Sequence, residues 1–122
     1  MHPSTPSRLG RWLLPLAVLT AIFISTSWPT PPDLPGQSDK LVHGTAYALL
    51  AVSVGWAARL RAYRRMVMWL VVLSAIGAID EWHQQFIPGR RMDRRDWFAD
   101  SAGAAVGLTL VTALARRREF VA

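Results

Sequence analysis

Residues 66–86 read MVMWLVVLSAIGAIDEWHQQF: an uncharged run from Met66 to Ile79, then Asp80, Glu81, His83, Gln84 and Gln85 before Phe86. A helix needs about 20 residues of this kind to cross the ~30 Å hydrocarbon core of a bilayer. Three further blocks flank it. Residues 12–28 (WLLPLAVLTAIFISTSW) carry no charge, residues 41–58 (LVHGTAYALLAVSVGWAA) have only His43 as an ionisable group, and residues 97–115 are interrupted early by Asp100 and Ser101. Lipid offers no partner to free amides and carbonyls, so the blocks are expected to be helices, not strands. Their short connections predict antiparallel neighbours. The sequence therefore predicts an all-α, integral membrane four-helix bundle. Residues 1–11 form an N-terminal segment, 12–115 one domain with spans near 12–28, 41–58, 66–86 and 97–115, and 116–122 a tail. Pro29, Pro31, Pro32 and Pro35 are expected to stop the first helix and stiffen the following loop, and Pro88-Gly89 to break the chain after the third.

Composition supports this reading. The chain has 122 residues, 52% hydrophobic and only 18% charged, with a mean hydropathy of +0.21. A soluble domain this short cannot usually bury so much apolar surface, which argues against a water-soluble enzyme. A net charge of +6 raises the question of nucleic acid, but the basic residues lie between apolar blocks and leave no soluble recognition element. The absence of cysteine excludes disulfides, thiolate metal sites and a cysteine nucleophile. Arg8 and Arg11 before an apolar run could also open a signal peptide, but the run is long for a signal core and Trp28-Pro29 follows directly, so an uncleaved anchor is expected.

Arginines in short loops set orientation. Arg8, Arg11, Arg59, Arg61, Arg64, Arg65 and Arg116 to Arg118 would share one side of a four-span protein, against Lys40, Arg90, Arg91, Arg94 and Arg95 on the other. The richer side, and with it both termini, is expected in the cytoplasm.

That topology brings the polar ends of the second, third and fourth helices to the outer face. Of the eight acidic residues, only Asp33 and Glu119 lie away from it. Residues four apart share a helical face, giving lines of Asp39, His43 and Tyr47, of Glu81 and Gln85 with Gln84 beside them, and of Asp96, Asp100 and Gly103. Glu81 is the foremost candidate, because an intramembrane carboxylate costs several kcal/mol unless it finds a partner. Arg90 and Lys40 are its expected charge partners, His43 its hydrogen-bond partner. Blander roles compete. Asp93 or Asp96 could cap the fourth helix, His43 could be a satisfied core histidine, His83 is read as interfacial, and Arg94 and Arg95 could anchor at headgroups. Gly103 and Gly107 form a small-xxx-small pair suited to close helix packing.

Asp39-Lys40-x-x-His43 with Tyr47, Glu81-x-x-Gln84 with Phe86, Pro88, Gly89 and Arg90, and then Asp93, Asp96, Gly103 and Gly107 form an ordered set. In this set the chain resembles the VanZ-like family of small bacterial membrane proteins, over about two thirds of its length. The resemblance implies a four-helix, multi-pass protein of the plasma membrane and, for the family's namesake, reduced susceptibility to the glycopeptide teicoplanin. It implies no known reaction. Where the family pattern usually has Asn, this chain has Asp100, which when ionised cannot donate an amide hydrogen bond. Pairing with Arg90 or Arg91 is the expected substitute.

Two functions follow. The first is binding or modulation of an anionic lipid or cell-wall precursor headgroup by Asp39, Lys40, His43, Tyr47, Glu81, Gln84, Arg90, Asp93, Asp96 and Asp100, with arginine gripping phosphate oxygens. The alternative is an intramembrane enzyme acting on a lipid phosphate, with Glu81 or His43 as acid–base groups and Arg90 stabilising developing charge. Asp39, His43, Glu81 and Asp100 could in principle surround a divalent cation, but no recognisable ligand spacing accompanies them, so no metal and no cofactor are expected. A third, purely structural reading has the polar groups only lock the helices together. No nucleic-acid partner is expected, and the sequence carries no signal for oligomeric state.

Overall fold

The structure, a computed structural model, describes residues 6–29 and 38–121. Pro31, Pro32 and Pro35, with the stiff loop expected there, lie outside the described residues, as does Asp33. The described residues form four α-helices and no strand: α1 (Leu13–Thr26), α2 (Ser38–Ala57), α3 (Tyr63–Gln84) and α4 (Arg94–Val121), with a single 3-10 turn at Gly10–Trp12 ahead of α1.

Local chemistry sets the boundaries. Ser7 Oγ accepts the Gly10 N–H at 3.0 Å, closing the turn before α1. Pro15 sits in the first turn of α1, where a missing N–H breaks no intrahelical bond. Within α1, the hydroxyls of Thr20 and Ser25 donate to the carbonyls of Leu16 and Ala21 at 2.7 and 2.8 Å, so they need no partner from outside the helix. α2 ends in a left-handed cap at Arg59 (φ 50°), with Leu60 N–H donating to Gly55 O and Arg59 N–H to Trp56 O. This is the Schellman pattern with arginine in the position glycine usually takes. Gly89 (φ 79°) turns the chain after Pro88, and α4 starts at Asp93, whose Oδ1 accepts the Arg95 N–H at 2.8 Å.

The helices alternate in direction. The rings of Trp12 and Trp69 meet at a tilt, 5.5 Å between centroids, joining the N-terminal parts of α1 and α3. At that same end Arg61 pairs with Glu119, and Arg116 donates to Arg61 O and lies over the Tyr63 ring. These contacts lie along the last turns of α4, which stays helical through Arg116–Arg118 to Val121, past the span expected to end at residue 115. Arginine is also a good helix former, and cations near a helix C-terminus meet a favourable dipole.

By length and composition, α3 and α4 are each able to cross a membrane. α1 has only 14 residues, and the first turn of α2 carries Asp39 and Lys40. Large apolar side chains cover the outward faces, including Val67, Val71 and Ile79 on α3 and Val106, Leu110 and Leu114 on α4, each at least half exposed. Soluble domains rarely leave such continuous apolar surface open.

The tightest packing joins α2 to α4. A Cβ on Gly103 would overlap the Gly44 carbonyl, and one on Gly107 would overlap the Ala48 carbonyl and come within 2.9 Å of the Ala51 Cβ. A Cβ is already present on Val111, and it is Gly55 that gives way to that side chain. Around this seam lie the buried Tyr47, Leu50, Ala51, Val54, Ala104 and Leu108. Gly103→Val is expected to push α2 from α4 and lower stability by about 3 kcal/mol or more, whereas Val106→Leu on the exposed face should be neutral. Thermal unfolding in mild detergent checks both.

Candidate functional site

The alternating directions bring the first turns of α2, the last turns of α3, the 85–93 connection and the first turns of α4 to one end of the bundle. On α3 the inward residues are Leu73, Gly77, Asp80, Glu81 and Gln84, all buried, at the i, i+4, i+7, i+8, i+11 spacing of one helical face. Gln85, expected on the Glu81 line, is exposed instead. On α4 the corresponding face carries Asp96, Asp100, Ala104, Gly107 and Leu108. Gly77 lies opposite Asp100, close enough that a Cβ there would be in van der Waals contact with the Asp100 and Trp97 side chains. Trp97 Nε1 donates to Ser74 O at 2.9 Å, and the Ser74 and Ser101 hydroxyls meet at 2.8 Å, fixing α3 against α4.

Two layers of polar groups result. In the outer layer Lys40 Nζ donates to Asp39 Oδ2 and Asp93 Oδ2, each at 3.0 Å, and to Asp96 Oδ1. One ammonium thus joins α2, the connection and α4. Asp93 serves twice, capping α4 and holding Lys40. The Arg95 amide first, and then the Lys40 ammonium, keep its carboxyl below the usual carboxylate range.

In the inner layer His43 Nδ1 lies 2.9 Å from Asp100 Oδ1, and Nε2 faces Asp96 Oδ2 at 3.7 Å. Glu81 Oε2 accepts the Asp93 N–H at 3.0 Å and Oε1 accepts Gln84 Nε2 at 3.1 Å. Tyr47, one turn beyond His43, is 1% exposed. Its hydroxyl has no hydrogen-bond partner among the described residues, and neither do Asp80 Oδ2 and Asp100 Oδ2.

Several pairings differ from those expected. Arg90 meets neither Glu81 nor Asp100: its Nε donates to Trp28 O at 2.9 Å and a terminal nitrogen to Ser25 O at 2.8 Å. A guanidinium has five N–H donors, and the last carbonyls of a helix lack intrahelical partners, so the end of α1 holds the arginine. Lys40 passes over Glu81 for three aspartates, and Asp100 is met by His43. Asp80 was overlooked as a site residue; it is 3% exposed and accepts the Thr26 hydroxyl at 2.7 Å. Its i+4 relation to Gln84 was the available signal, while its partner on α1 had none. His83 lies apart, stacked on Phe23 at 4.8 Å with Ser27 Oγ 3.3 Å from its Nε2. Arg91, Arg94 and Arg95 are exposed.

A cleft of about 770 Å³ opens between α1 and α2. Its walls are mostly apolar, with Val18, Ile22, Val42 and Leu49 among them, and its polar lining includes Asp39, His43, Tyr47 and Arg90.

The family model for VanZ/LLP1 matches residues 8–116, and the chain belongs to that family. No curated protein and no solved structure matches it. Family membership and the two long apolar helices together point to a membrane protein.

Lys40→Met removes one ammonium from three aspartates at once. The variant is expected to lose on the order of 3 kcal/mol, the usual penalty for stranding a largely buried charge. Adding Asp96→Asn should restore part of that, and a double-mutant cycle of detergent unfolding measures the coupling.

Proposed function

We propose that this VanZ/LLP1 protein spans the bacterial plasma membrane with all four helices and binds the headgroup of an anionic lipid or lipid-linked cell-wall precursor. Both ends of the chain are cytoplasmic in this reading, with the polar cluster at the outer interface. Residues 12–115 form the membrane domain.

The observation that carries the proposal is the cleft between α1 and α2, apolar along its walls and lined at its polar end by Asp39, His43 and Arg90. Its volume is in the range of pockets that enclose most of a small ligand. An acyl or polyprenyl chain suits the walls, and a phosphate suits the polar end. Arg90 uses two of its N–H groups on the carbonyls of Ser25 in α1 and Trp28 just after it, which fixes the guanidinium and leaves other donors for phosphate oxygens. The cluster of Lys40, Tyr47, Glu81, Gln84, Asp93, Asp96 and Asp100 supports His43 and the mouth of the cleft. An effect on glycopeptide susceptibility would follow from holding a wall precursor.

The contact between His43 and Asp100 favours one second reading, an intramembrane enzyme in which His43 is the acid–base group and Asp100 orients it. Glu81 suits that role less well, because both its oxygens accept hydrogen bonds within the protein. Formation of a new lipid product by wild type, abolished in His43→Ala, would select this reading over simple binding.

Two outcomes are expected. In the cysteine-free chain, a membrane-impermeant thiol reagent added to intact cells should label Met92→Cys but not Ala62→Cys; the reverse pattern inverts the orientation. Native mass spectrometry in mild detergent should find a phosphate-bearing lipid retained by wild type and held about tenfold more weakly by Arg90→Ala. Ala46→Phe, which fills the cleft without touching Arg90, should lose it too, and equal retention in all three proteins would contradict the proposal.

A further inference from the structure

The inner layer has more buried carboxyl groups than the cations near it can serve. Asp80, Glu81 and Asp100 are each at most 3% exposed. Lys40 is engaged by Asp39, Asp93 and Asp96, and Arg90 by the carbonyls of Ser25 and Trp28. That leaves one imidazole, His43, beside Asp100 and Glu81. An ionisable side chain at such depth is expensive without a partner, and a buried acceptor left without a hydrogen bond adds to that expense. Asp80 and Asp100 each have one such oxygen, and Tyr47 has a buried hydroxyl with no partner among the described residues.

His43 from α2, Glu81 from α3 and Asp100 from α4 each present one ligand atom, and these atoms lie within 4.8 Å of one another. We infer that these three side chains bind a divalent cation of the zinc or manganese class, with Tyr47 beside it. A cation at ~2.0–2.2 Å from each donor draws such atoms to within about 4.4 Å of one another, so only small side-chain adjustments are needed. The 2.9 Å separation of His43 Nδ1 and Asp100 Oδ1 suits two ligands sharing an edge of a coordination polyhedron. Imidazole with carboxylates and no thiolate selects borderline first-row ions over magnesium or copper(I).

The surroundings match those of a metal centre. With Nδ1 turned to the cation, His43 Nε2 faces Asp96 Oδ2 at 3.7 Å, the outer carboxylate that commonly orients a metal-bound histidine. Glu81 is held by the Asp93 amide and Gln84. Tyr47 lies one turn from His43 on α2, and its buried hydroxyl has no partner among the described residues. Three protein ligands leave coordination positions open for water or an anionic oxygen. The inference concerns the cation alone and does not need the lipid reading.

Protein purified in mild detergent, stripped with chelator and freed of it, is dialysed against micromolar zinc or manganese and its metal content measured by mass spectrometry. Wild type is expected to retain about one ion per chain and to gain thermal stability from it. Asp100→Asn and His43→Ala should bind at least ~10-fold more weakly, whereas His83→Ala, at the separate Phe23 and Ser27 contact, should bind as wild type does. If one of the two ligand variants fails to fold, the isosteric Glu81→Gln takes its place. Absence of either ion from folded wild type would overturn the inference, and so would equal binding by the folded ligand variants.

Discussion

The close approach of α2 and α4 is the constraint on which the other features depend. Helices in hydrocarbon gain little from burying apolar side chains against one another, so their association rests on packing and on polar contacts between helices. Here Gly44 and Ala48 of α2 meet Gly103 and Gly107 of α4 at the backbone itself. At that separation, polar side chains meet across the seam: His43 meets Asp100, and Lys40 meets Asp96. On the seam between α3 and α4, Gly77 lies against the side chains of Asp100 and Trp97. The glycines thus govern the geometry of the polar cluster although none of them contributes a functional group.

Within that frame the polar residues divide by depth. Asp39 and Asp93 are partly open to solvent and share Lys40, an arrangement that ties three segments together and explains itself as structure. Asp80, Glu81, Asp100 and Tyr47 are different, being buried with more acceptors than donors around them. Apolar residues of similar size would pack this space without that expense. Natural chains tend to break such local rules where function requires it. The unequal treatment of the two layers is therefore the main physical argument that the inner one serves a ligand.

Much of this was legible in the sequence. The apolar blocks have the length and composition of helices, and their short connections dictate alternating directions, so the convergence of Asp39, Lys40, His43, Glu81, Gln84, Asp93, Asp96 and Asp100 at one end followed from topology. Spacing also identified Gly103 and Gly107 as a packing pair. What stayed hidden depended on partners rather than position. Arg90 was matched to carboxylates by charge, but a guanidinium also satisfies helix-terminal carbonyls, and nothing in the sequence placed the end of α1 beside it. The same ignorance of α1 concealed the contact of Thr26 with Asp80. Four-residue spacing from Glu81 placed Gln85 on the same line as Gln84, whereas the buried face that runs through Gly77 and Asp80 takes in Gln84 and leaves Gln85 exposed. The arginines at 116–118, read as following the fourth span, lie in the last turns of α4, since charge alone does not end a helix.

The central claim, that the inner carboxyl groups serve a ligand at some expense to the fold, is tested most directly by the unfolding free energy of Asp100→Asn, measured in mild detergent with chelator present. The amide keeps the shape and can still accept from His43 while removing the buried charge. The account predicts a variant at least as stable as wild type, since a charge held for a ligand burdens the ligand-free fold. A loss of about 2 kcal/mol or more would contradict it, because Asp100 would then be part of what holds the helices together.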